Sequence, residues 1–144
     1  MIRFFVAVFV TFFMVYELAF AGPYDLSGTW MRAGGTSNEK PIHFVPVKGK
    51  YHYYGQERYV FPYGRLSHTI DQAVSFPMTG TDTLKGTVDF HDSRGCSFKD
   101  LPVIAEFQGP DVVNLLMTIP RYQYLRNGTC RLLEEVEVPV QIYR

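Results

Sequence analysis

The stretch Glu135-Val136-Glu137-Val138-Pro139-Val140-Gln141-Ile142-Tyr143 alternates charged or polar residues with apolar ones. Because successive side chains of a β-strand point to opposite faces, this pattern predicts a strand with one buried face, formed by the three valines and Ile142. Pro139 belongs to the outward face and has no N–H to donate. We therefore expect a strand at the edge of a sheet, or one paired on a single side at that point.

The same period of two occurs earlier, in residues 84–91, where Leu84, Val88 and Phe90 alternate with charged or polar residues. Turn signals separate the apolar segments at short spacing, which is typical of antiparallel chains. They are Lys48-Gly49, Ser93-Arg94-Gly95, Gly109-Pro110-Asp111 and Asn127-Gly128. The last of these predicts a type I′ hairpin turn between residues 121–125 and 129–133.

One segment is ambiguous. Residues 111–117 are mostly apolar and suit either a short helix or a strand buried on both faces, but the flanking Gly-Pro and Ile119-Pro120 pairs favour a strand. In total we expect eight or nine strands in about 120 residues, a number typical of a small all-β domain. Such a chain forms an antiparallel β-barrel of about eight strands or a β-sandwich. We prefer the barrel because closure removes exposed strand edges.

The first residues have the organisation of a signal peptide. Arg3 precedes an apolar run from Phe4 to Tyr16, and Ala19-Phe20-Ala21 provides small residues at a cleavage site. We expect residues 1–21 to be removed and residues 22–144 to form a single domain, secreted or periplasmic, with no stable membrane anchor. The alternative is an uncleaved anchor, which Glu17 disfavours because a carboxylate is costly within hydrocarbon.

The chain contains two cysteines, Cys96 and Cys130. In an exported protein such a pair predicts a disulfide, and closing a loop of this length stabilises a fold by about 3 to 4 kcal/mol in the chain-entropy model. The alternatives are two free thiols or a metal site, but neither cysteine has another cysteine or a histidine at ligand spacing. We therefore expect no metal.

Acidic and basic residues balance, with 14 of each, and no basic cluster is present. This pattern excludes the electrostatic footprint of a nucleic-acid-binding protein and disfavours recruitment to an anionic membrane surface. The sequence has no nucleophile elbow, phosphate-binding loop or dinucleotide fingerprint. We expect no cofactor, and catalysis is the less favoured interpretation.

The segment Asp25-Leu26-Ser27-Gly28-Thr29-Trp30 resembles the opening strand of lipocalin-like and avidin-like barrels, the calycin-like folds, in which a Gly-x-Trp pair begins the first strand. The resemblance implies a small barrel but selects no ligand, since these families also include exported protease inhibitors. Avidins line their biotin pocket with several tryptophans, whereas this chain has only Trp30, so biotin binding is not implied. Trp30 also suits a purely structural place, as a core residue that fills one end of a barrel.

Tyrosines are concentrated in two segments, where their rings and hydroxyls suit contact surfaces and pocket mouths. The candidate binding residues are Tyr51, Tyr53, Tyr54, Tyr59 and Tyr63 in the first segment and Tyr122 and Tyr124 in the second. Alternation places Tyr51 and Tyr53 on the face opposite to His52 and Tyr54, so both sets cannot be core. The competing interpretation is that tyrosine simply suits strands.

These observations favour a non-enzymatic exported binding domain that recognises a small apolar ligand or a protein partner, for example as an inhibitor or immunity-type protein. One alternative is a hydrolase or isomerase with a barrel pocket, using His52, His91 or a carboxylate as general base. That alternative requires two of the four histidines to lie near an acidic residue in one cleft. Another alternative is a structural subunit of an envelope complex, with strand pairing near Pro139.

Overall fold

A computed structural model describes residues 24–35, 39–60 and 67–144, with no account of the Val60 side chain. Within these ranges all regular structure is β, and eight antiparallel strands close into a barrel in sequence order, the last pairing with the first. The barrel is therefore confirmed over the sandwich. The predicted signal peptide lies outside the described residues. The strands are β1 (Gly28–Arg32), β2 (Ile42–Val47), β3 (Lys50–Val60), β4 (Ser67–Pro77), β5 (Thr83–Asp92), β6 (Ser97–Phe107), β7 (Val112–Tyr124) and β8 (Cys130–Tyr143).

The strands with the clearest alternation behave as predicted. In β8, Val136, Val138 and Val140 are half-buried and Ile142 is fully buried, whereas their neighbours are exposed. Pro139 pairs with Leu116 of β7, and β1 reaches β8 only at Ile142 and Tyr143, so the strand is paired on one side at the proline.

The strand predicted at residues 112–117 is confirmed, but its expected burial on both faces is wrong. Residues 112–117 form a strand, but this strand is not buried on both faces, because Asn114 and Leu116 are exposed between buried neighbours. The strand also continues through Pro120 to Tyr124, since β8 accompanies it over its whole length and a proline needs no donor on its unpaired side.

The turn at Asn127-Gly128 is not type I′. Gly128 has a positive φ of 81° but Asn127 does not, and the Gly128 N–H donates to the Leu125 carbonyl. This is a type I turn followed by a left-handed glycine, the three-residue hairpin with a G1 bulge. The Asn127 side chain accepts hydrogen bonds from the backbone and hydroxyl of Thr129, which holds the asparagine in the turn. The pair with two positive φ values is instead Lys48-Gly49, between β2 and β3.

Large side chains fill one end of the barrel, here called the closed end. Trp30 is fully buried, donates its indole N–H to the Leu26 carbonyl at 2.8 Å, and meets Phe107 edge-on. Arg144 stacks its guanidinium 4.3 Å from the centre of the Trp30 ring and donates to the carbonyls of Ser27 and Pro110. These contacts tie the segment before β1 to the loop between β6 and β7.

Candidate functional site

The opposite half of the barrel, here called the open end, contains a cavity of about 770 Å³. That volume lies within the range of small-molecule sites, which is roughly 300 to 1,000 Å³. Its lining combines aromatic and aliphatic side chains with polar and charged ones, among them Glu57 and Gln72. The apolar and aromatic wall residues include Tyr53, Tyr59, Ile70, Phe90, Ile119 and Tyr122.

The cavity reaches the surface between β2 and β3. Backbone pairing between these strands ends at Val45 and His52, after which β2 pairs with β1 while β3 continues beside β4. The cavity lining accordingly includes the outward-facing residues His43 and Tyr54 as well as the inward-facing Tyr53. The strands diverge there, and the cavity opens toward the side of the barrel.

A second opening in the backbone ladder, here called the seam, lies between β6 and β7. Their pairing stops at Val103 and Met117, although β6 begins at Ser97 and β7 runs on to Tyr124. Side chains connect the two sides instead. The predicted disulfide between Cys96 and Cys130 is present and joins the β5–β6 turn to the start of β8.

A buried carboxylate provides the other main connection across the seam. Asp92, at the end of β5, is only 2% exposed and accepts hydrogen bonds from the Arg94 guanidinium and from the Tyr122 hydroxyl, the latter at 2.6 Å. Tyr122 also packs its ring against Phe98, with centroids 4.9 Å apart, and Arg94 lies over the ring of Tyr124. The Asp92 carboxylate thus connects the end of β7 to the hairpin formed by β5 and β6.

The ionisation of this cluster follows from its contacts. Burial acts to raise the pKa of Asp92, but hydrogen bonds from Arg94, from Tyr122 and from the Arg94 backbone outweigh it and hold that pKa well below its usual range. Burial, together with the hydrogen bond to Asp92, raises the pKa of Tyr122 to about 12. At neutral pH, Asp92 is therefore an anion and Tyr122 a donor.

A second tyrosine–carboxylate pair lies at the cavity wall. The Tyr59 hydroxyl donates to Glu57 at 2.6 Å, and this hydrogen bond, with some burial, raises the pKa of Tyr59 to about 12. The Tyr59 ring stacks on His68, whose Nε2 lies 3.8 Å from an oxygen of Asp92. The two pairs are therefore linked through one imidazole.

The candidate tyrosines are distributed over three environments. Tyr53, Tyr59 and Tyr122 line the cavity, whereas Tyr51 is buried in the core of the closed end. Tyr54 is 75% exposed on the outer face, where it stacks on His52, and it reaches only the mouth of the cavity. Tyr124 is exposed beneath Arg94, and Tyr63 lies outside the described residues.

The important residues that sequence reasoning missed are Asp92, Glu57 and Ile119. A signal existed for Asp92, because extending the alternation of Leu84, Val88 and Phe90 by two residues places it on the inward face. Glu57 belongs to the same alternating set as Tyr51 and Tyr53, but the sequence does not say which set of β3 faces inward. The divergence of strands that creates the cavity has no comparable local signal.

The histidines are dispersed. Of the four histidines, His68 is the one that lies within ion-pair distance of a carboxylate in the described ranges, and it does not line the cavity. His91 bonds to Ser97 on the outer face and His43 to Thr29. In the part of the chain that the structure describes, no three histidine, cysteine or acidic side chains are grouped to hold a metal ion. The described ranges also contain no helix that could cross a membrane.

Comparison with models of protein families, with curated proteins and with solved structures found no match to this chain.

Proposed function

We propose that this protein is an exported, non-enzymatic carrier that binds a small amphipathic molecule inside the open end of the barrel. The observation that supports this proposal most is the cavity of about 770 Å³, whose lining combines aromatic and aliphatic side chains with polar and charged ones. Such a mixed lining suits an amphipathic molecule, because the apolar side chains contact its apolar part and the polar groups fix its orientation. The disulfide is compatible with an oxidising compartment and thus with export.

The resemblance of the Gly28-Thr29-Trp30 segment to lipocalin-like and avidin-like barrels supports the same proposal. In this chain Trp30 is a core residue of the closed end, so ligand binding belongs to the opposite half. A division into a filled end and a hollow end suits a carrier, because the filled end supplies stability while the hollow end remains accessible.

Binding can be tested with N-phenyl-1-naphthylamine, a neutral aromatic probe whose fluorescence rises in apolar surroundings. We expect saturable binding to the purified protein, and we expect Ile119→Trp to abolish it by filling the cavity. The matched control is Leu116→Trp on the same strand, because Leu116 points outward and is 36% exposed. Absence of saturable binding, or equal binding by the Ile119→Trp variant, would refute the proposal.

A second candidate function is recognition of a protein partner through the outer face of β3. The observation that favours it is Tyr54, which is 75% exposed and stacked on His52, because large exposed aromatics are enriched where proteins bind. If the probe fails to bind while Tyr54→Ala weakens association with a partner crosslinked in the native compartment, this candidate replaces the carrier.

A further inference from the structure

Glu57, an exposed carboxylate of the cavity lining, has no ion-pair partner in the part of the chain that the structure describes. Two carboxylates face inward at the open end, Asp92 and Glu57, and they differ in their partners. Asp92 is paired with the Arg94 guanidinium at 2.8 Å. Glu57 makes no ion pair within 4 Å in the described ranges, and its hydrogen-bond partner is the neutral hydroxyl of Tyr59.

Two tyrosines of the same strand lie beside this carboxylate. Tyr59 touches it directly, and Glu57 is close enough to Tyr53 to contribute, after burial, to the raised pKa of that tyrosine. Phe90 and Tyr122 line the same cavity. The faces of aromatic rings attract organic cations, and a nearby carboxylate adds a direct electrostatic attraction.

Gly55 leaves room for this arrangement. It lies on the inward face of β3 between Tyr53 and Glu57, and a Cβ at this position would collide with the Tyr53 hydroxyl. The absence of a side chain allows the Tyr53 ring to lie along the wall beside Glu57. Gly55 therefore contributes to the shape of the site.

The other charges of the cavity lie at its rim. Arg32, Glu39 and Lys40 belong to β1 and to the connection that leads to β2, and all three are exposed. Glu57 is exposed as well, so solvent screens all four charges. Glu57 differs from the other three in its position on β3, where it accepts the Tyr59 hydroxyl hydrogen bond and lies near Tyr53. Among the walls contributed by β3, β4, β5 and β7, the ionised lining residue is Glu57.

We propose that the ligand carries a cationic amine or ammonium group, which binds against Glu57 between the rings of Tyr53 and Tyr59, while its apolar part extends along Ile70, Phe90 and Ile119. This inference rests on the proposed carrier function and specifies the chemical class of the ligand. The hydroxyl of Tyr59 positions the carboxylate, and the rings provide the apolar and cation–π contacts.

Three probes with one apolar chain and different head groups test the inference by calorimetry: decyltrimethylammonium, decanol and decanoate, each below its micelle concentration. We expect the cation to bind roughly tenfold more tightly than the alcohol, the preference that one ion pair with cation–π contacts supports. Glu57→Gln should remove that preference and leave the affinity for decanol unchanged. Glu106→Gln, an exposed outward substitution with the same change in charge, is the control and should preserve the preference.

The outcomes separate the two proposals. Equal binding of cation and alcohol, or tighter binding of decanoate, overturns the assignment of a cationic ligand and leaves the carrier function standing. A preference for the cation that survives Glu57→Gln overturns the role of Glu57. Failure of all three probes to bind, together with failure of the neutral naphthylamine, overturns both the carrier function and the ligand class.

Discussion

Replacement of Tyr122 by phenylalanine measures how much its hydrogen bond to Asp92, across the seam, contributes to the free energy of unfolding. The change removes one hydroxyl, which donates to the ionised Asp92 at 2.6 Å, and keeps the ring that packs on Phe98. A hydrogen bond to a charged group contributes about 1.5 to 3 kcal/mol. Asp92 retains the Arg94 guanidinium and the Arg94 backbone N–H, so it is not left unpaired and the loss belongs at the lower end, about 2 kcal/mol.

Urea unfolding at pH 7, followed by circular dichroism, measures this loss. With an m value of about 2 kcal/mol/M, the midpoint should fall by about 1 M. Tyr124→Phe is the matched control on the same strand. Its ring keeps the contact with Arg94, and we expect a change within about 0.5 kcal/mol. If Tyr122→Phe unfolds at the same urea concentration as this control, the Asp92 cluster does not stabilise the seam.

Three further predictions concern the same two ends of the barrel. Replacing both Cys96 and Cys130 by serine should lower the free energy of unfolding by about 4 kcal/mol in the chain-entropy model, and weaken naphthylamine binding because the seam loosens. Because the pKa of Asp92 is depressed in the folded state, its contribution is present above the unfolded pKa and lost as pH falls toward the folded pKa. The urea midpoint should therefore drop between about pH 5 and pH 2, and the drop should be smaller in Asp92→Asn. Arg144→Lys should lower stability by roughly 2 kcal/mol, measured by urea unfolding, since an ammonium cannot reproduce a guanidinium that stacks on Trp30 and bonds two carbonyls.

Local alternation was sufficient to predict strands and their faces where one face is apolar throughout. The inward and outward sets of β5 and β8 follow directly from the sequence, as does the turn at Lys48-Gly49. For β3 the same alternation separated Tyr51 and Tyr53 from His52 and Tyr54, but it could not say which set faces inward. Both sets are aromatic, so the decision depends on the neighbouring strands.

Features that depend on distant parts of the chain could not be predicted from local sequence patterns. The length of β7 beyond Pro120 is set by continuous pairing with β8, which local turn signals around the proline do not report. The cavity depends on where β2 leaves β3 and where β6 leaves β7, and those positions follow from closure of the whole barrel. The hairpin at Asn127-Gly128 shows a further limit, because the same dipeptide suits two turn types that differ in the φ of the asparagine.

The two ends of the barrel are held together by different contacts. At the closed end, buried rings and the contacts of Arg144 add to backbone pairing, so a substitution there changes the free energy of unfolding without touching the cavity. At the open end the β2–β3 and β6–β7 ladders are interrupted, and side chains such as Asp92 and Tyr122 replace the missing backbone hydrogen bonds. Segments with fewer backbone contacts open at lower free-energy cost, and Tyr122 belongs both to the seam and to the cavity wall. If the proposed ligand contacts Tyr122, its binding stabilises the seam, and loss of the seam contacts weakens its binding by the same free energy.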